Sequence, residues 1–82
     1  METNLYVGNL PPDATAEDLR AAFGHFGTVL HARVAIDRAT GLGWGYGFVE
    51  MECGAGEAAR ALNGTTLRSH TLTVREATTA GA

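Results

Sequence analysis

The side chains in this sequence that could do chemistry are few and mostly aromatic. The stretch Gly43-Trp44-Gly45-Tyr46-Gly47-Phe48-Val49-Glu50-Met51 sets rings between glycines, and Leu5-Tyr6-Val7-Gly8-Asn9-Leu10 carries one more. Side chains alternate across an extended strand, so Tyr46, Phe48 and Glu50 share one face while Val49 and Met51 share the other. The same period of two sends Leu5 and Val7 to a core and Tyr6 away from it. If a helix or second sheet covered these rings they would be core; left open, such rings mark a binding surface. Arg33 and Arg75 fall in strand patterns and Arg38 in a turn, where each could attract an anion. Bond-making chemistry has no comparable constellation. The histidines are scattered, Cys53 is unaccompanied, and no nucleophile is paired with a base, so no enzyme, metal site or cofactor is expected. The Gly41, Gly43, Gly45 and Gly47 series matches neither dinucleotide nor P-loop spacing.

The elements that must hold these residues can be read in order. A first strand over residues 4–8 stops at Asn9-Leu10-Pro11-Pro12, because proline cannot donate to a ladder. Thr15 with Asp18 three residues on resembles a capping box with Asp in place of Glu, and Leu19, Ala22, Phe23 and Phe26 recur at helical spacing as a buried stripe. Gly24 and Gly27 end that helix. Residues 28–36 make a second strand with Ala32, Val34 and Ile36 on the core face and His31, Arg33 and Ala35 opposite. A turn-rich link over 37–43 leads into the glycine-aromatic strand. The spacing of Ala55, Ala58, Ala59 and Leu62 predicts a second helix over 52–63, ended by Asn63-Gly64. A short hairpin or turn over 65–70 precedes a last strand, with Leu72 and Val74 inward and Thr71, Thr73 and Arg75 outward. These elements occupy one domain, residues 1–76, followed by a short tail over 77–82 without a packing signal.

At these residues the chain resembles the RNA recognition motif family. Gly45 through Val49 is similar to the longer ribonucleoprotein signature, and Leu5 to Leu10 looks like its shorter partner. The resemblance implies an α+β, ferredoxin-like βαββαβ sandwich, in which a four-stranded antiparallel sheet carries two helices on one face. It also implies that Tyr6, Tyr46 and Phe48 stack on bases of single-stranded RNA, or of single-stranded DNA, from the uncovered face. Two departures stand out. Trp44 occupies the place where the family signature has Lys or Arg, which exchanges a phosphate contact for a possible stacking one. Leu42 sits where a cation is common, leaving Arg38 as the cation of that loop.

Charge sharpens the point. The chain has no lysine, six arginines and a net charge of −3, so phosphate attraction should be modest and binding weak. The carboxylates of Glu17, Asp18 and Glu57 fall in the helix patterns, behind the sheet. An alternative use of the same scaffold is a protein-interaction module, with Trp44 and Leu42 as an apolar contact. A small phosphatase shares this order of elements, but it needs an anion cradle after the first strand, where this chain has two prolines. With no membrane-length apolar run, no signal-peptide pattern and one free cysteine, a cytoplasmic monomer is the expectation.

Overall fold

The computed structural model describes residues 2–77 and orders them as β1 (Thr3–Gly8), α1 (Ala16–Phe23), β2 (Val29–Ile36), β3 (Gly43–Met51), α2 (Ala55–Leu62), β4 (Thr66–Leu67), β5 (His70–Thr71) and β6 (Thr73–Glu76). One antiparallel sheet has the order β2-β3-β1-β6, and β4 with β5 makes a separate hairpin. This is the expected ferredoxin-like α+β arrangement with one small hairpin added before the last strand. The predicted tail begins at Ala77, whose N–H donates to the Asn4 carbonyl at 2.8 Å and so extends the sheet by one residue. Residues 78–82 lie outside the described part of the chain.

The sheet turns Leu5, Val7, Val49, Met51 and Val74 inward against Leu19 and Phe23 of α1 and Ala55 and Ala58 of α2. Each fully buried side chain the size of Leu or Phe contributes about 1.5–3 kcal/mol. Alanines contribute less, so α2 is held by a thinner interface, with Ala59 and Leu62 only partly buried. The first helix starts as its sequence requires: Thr15 Oγ1 accepts from the Asp18 N–H at 3.2 Å, and Asp18 Oδ2 accepts from the Thr15 N–H at 2.9 Å.

Two sequence expectations need correction. The second helix is shorter than 52–63 because Gly54 takes φ +79°, outside helical geometry, and no side chain caps the helix behind it. That glycine is obligatory, since a Cβ there would collide with the Phe26 carbonyl, and Gly27 is held equally close to the Cys53 carbonyl. Ile36, expected in the core, is 53% exposed. Val34 pairs with Gly47 but Ile36 with Gly43, so Trp44, Gly45 and Tyr46 together face Ala35 in a bulge that Gly45 permits at φ +94°. Past the bulge the hairpin outruns the start of α1, and Ile36 lines an open groove with Pro12, Ala14 and Leu42.

The β4–β5 turn holds Arg68 and Ser69 at φ 47° and 74°, both left-handed, as a tight two-residue hairpin demands. The turn aims the Arg68 guanidinium at Asp18, 2.9 Å away, and at Asp13, 3.3 Å away. The hydrogen bond from Arg68, helped by the Thr15 N–H, holds the Asp18 carboxyl down at about 2 from its ordinary 3.8. A carboxyl depressed in this way stabilises the fold above its unfolded pKa and loses that contribution as pH falls through its folded one. Stability should therefore decline between about pH 4 and pH 2. In R68A this part of the decline shrinks, the Asp18 pKa rises in an NMR titration, and neutral-pH stability drops only slightly, because solvent screens so exposed an ion pair.

Candidate nucleic-acid interface

Strand register assembles the site. On the face away from the helices, Arg33 of β2 lies opposite Phe48 of β3, Phe48 opposite Tyr6 of β1, and Tyr6 opposite Arg75 of β6. Two rings and two guanidiniums thus form one row across all four strands. Tyr46 sits one step along β3, opposite Gly8.

The three rings touch one another. Tyr6 and Phe48 meet edge to face at 5.9 Å, Tyr46 and Phe48 likewise at 6.0 Å, and Tyr6 and Tyr46 lie nearly parallel at 6.2 Å. Such distances lie within the range of favourable aromatic pairs. The Arg75 guanidinium rests 5.0 Å from the centre of the Tyr6 ring, a cation–π contact that keeps a positive charge beside the platform. Gly8 makes room for this arrangement, since a Cβ there would come within 2.8 Å of the Tyr6 ring. Tyr46 is 37% exposed, and Tyr6 and Phe48 are half-buried, largely by each other and their neighbours in the row. A shallow hollow lined by Arg33, Tyr46 and Phe48 opens between β2 and β3.

Five residues singled out from sequence, Tyr6, Tyr46, Phe48, Arg33 and Arg75, are therefore neighbours on one surface. The other two stand apart from it. Trp44 is 65% exposed within the bulge and takes no part in the ring contacts, and Arg38 is exposed on the β2–β3 link. That link is held tight by Asp37, whose carbonyl accepts from the Gly41 N–H at 2.7 Å and whose carboxylate accepts from the Ala39 N–H at 2.9 Å. Beside the row, sequence reading left a polar set unassigned: His31 opposite Glu50, and Glu50 opposite Asn4. Their parity with Arg33, Phe48 and Tyr6 was the available signal. Among the described residues no group of His, Cys, Asp and Glu is placed to hold a metal ion.

An uncovered antiparallel sheet bearing a cluster of rings, flanked by guanidiniums and backed by two helices, defines a stacking module for flat ligands that carry negative charge. The RNA recognition motif model matches residues 5–73, and the chain belongs to that family. RbpB of Nostoc sp., whose name marks RNA binding as an inferred role, is 42% identical over 76 residues, covering 90% of this chain and 74% of that protein. The crystal structure of the RNA-binding protein PG1 superposes with a TM-score of 0.86 at 42% identity, covering 92% of this chain and 93% of its own. A complex of the Sxl-lethal protein with RNA superposes with a TM-score of 0.84 at 38% identity, covering 92% of this chain and 47% of that one. Among the described residues no helix is long and apolar enough to cross a membrane.

Proposed function

We propose that this chain binds single-stranded RNA by stacking successive bases on Tyr6 and Phe48, with Tyr46 packed against a neighbouring sugar or base. The observation that carries this reading is the row in which those rings are flanked by Arg33 and Arg75 on a face the helices leave uncovered. Base stacking on an aromatic side chain is worth about 1–3 kcal/mol per base, so three rings support affinities up to the micromolar range. Arg33 and Arg75 supply phosphate attraction, Arg38 can add to it from the link, and Trp44 offers a further ring to a longer strand. Single-stranded DNA presents the same base faces and is the secondary ligand. The working unit is one domain, residues 1–76, acting as a cytoplasmic monomer without a cofactor or a catalytic step.

The salt dependence of binding tests this. For single strands log K falls with log salt at about −0.7 per phosphate neutralised, so two or three arginines give a slope of about −1.4 to −2.1. Raising salt from about 50 to 200 mM should then weaken binding roughly 7- to 18-fold. The exposure of Ile36, Leu42 and Trp44, each above half, favours a second reading in which the hairpin docks on a protein partner. A slope near zero, with no measurable affinity for a mixed single-stranded pool, would move the assignment to that surface.

A further inference from the structure

One end of the platform is not aromatic. Beyond Phe48 the open face continues as Glu50 on β3, with Asn4 opposite it on β1 and His31 opposite it on β2. These residues, with Arg33, Phe48, Ala32 and the Arg20 side chain reaching from α1, line a recess of about 320 Å³, within the size range of small-ligand sites. Residues two apart on a strand share a face and lie about 7 Å apart, so a base stacked on Phe48 would present an edge to Glu50. The Glu50 side chain is 30% exposed, and its ionic neighbour, His31, is 4.0 Å away, too long for a hydrogen bond. Its carboxylate is thus an acceptor on the lining of the recess beside Phe48, with no hydrogen-bond donor among the described residues.

We infer that this recess selects guanine, a reading that rests on the proposed RNA binding and adds base choice to it. A carboxylate only accepts hydrogen bonds, and it takes two parallel ones best. Guanine alone among the four bases offers two adjacent donors, N1–H and the N2 amino group, on its Watson–Crick edge. Adenine and cytosine each offer one amino group next to a ring acceptor. Uracil offers N3–H between two carbonyls, which sets one carboxylate oxygen against a like partial charge. Arg33, opposite Phe48, is a donor suited to the O6 and N7 acceptors on guanine's other edge, the pairing arginine commonly makes with guanine in the major groove of DNA. Asn4 can complete the edge as donor or acceptor. Acceptor and donor on two sides of one stacked base fit the guanine pattern and oppose the uracil one.

The test is a series of eight-nucleotide RNAs, all uridine except for G, A, C or U at one central position, titrated against the full chain by fluorescence anisotropy at low salt. The G oligomer should bind about tenfold more tightly than the all-U oligomer, the discrimination expected of one bidentate pair. In E50Q that ratio should fall below about twofold, because the neutral amide cannot accept both of the parallel guanine donors. A thermal melt confirms that E50Q is folded. Affinities for the four oligomers within twofold of one another in the unsubstituted chain would overturn the guanine assignment alone, and so would a G preference that survives E50Q. Failure of every oligomer to bind would overturn the proposed RNA binding together with it.

Discussion

In F48A, affinity for single-stranded RNA should fall roughly 5- to 150-fold, the equivalent of losing one stacked base at about 1–3 kcal/mol. Phe48 is the largest lever because it is the hub of the cluster. It meets Tyr6 and Tyr46 edge to face, and Arg33 lies across from it. Removing it deletes one platform and frees the two tyrosines that lean on it. The fold should tolerate the change, since Phe48 lies on the uncovered face and the core behind it is made by Val49 and Met51. The expected result is a melting temperature within a few degrees of the parent beside a clear loss in a binding isotherm. Unchanged affinity would remove the ring row as the binding surface. T73A, on the same face at the last strand, is the matched control and should change little.

G54A should be the most damaging small substitution for stability. Gly54 combines a left-handed φ of +79° with backbone so close to Phe26 that a methyl group has no space. Left-handed strain and overpacking each cost about 1–3 kcal/mol, so a loss of about 3 kcal/mol is a conservative sum. For a domain of this size that corresponds to a fall in melting temperature of roughly 12–24 °C. G64A provides the comparison. Gly64 is also left-handed, at φ +87°, but nothing lies within 4 Å of its absent side chain, so it isolates the strain from the collision. Equal melting temperatures for the two variants would mean that the close crossing at Gly27 and Gly54 carries no weight.

Local pattern made part of this molecule legible. Strand parity put Tyr6, Tyr46 and Phe48 on one side and their aliphatic neighbours on the other, and the Thr15–Asp18 pair announced the start of α1. Gly64 announced the end of α2. These signals are short-range, fixed by geometry within a few residues. What the sequence concealed depends on register and distance. The bulge at Trp44-Gly45-Tyr46 inserts two residues opposite Ala35, and beyond it Ile36 keeps the face it shares with Val34 but lines an open groove instead of a packed core. Arg68 meets Asp13 and Asp18 across 55 and 50 residues of chain, a pairing that no local spacing encodes. Asn63 is similar: a residue read only as a helix terminus also accepts the Val74 N–H at 2.9 Å and so steadies the last strand. The alignment of Arg33 with Arg75 likewise exists only once four strands have taken their places.

That alignment has a mechanical corollary. β2 and β6 are the outermost strands of the sheet, each hydrogen-bonded on one side, and outer strands are the first to fray. A polynucleotide laid from Arg33 to Arg75 spans the sheet from margin to margin, like a rivet through four planks. Occupancy of the proposed site would therefore tighten the least secure parts of the structure, and by mass action the loaded protein would resist unfolding in proportion to the logarithm of ligand concentration.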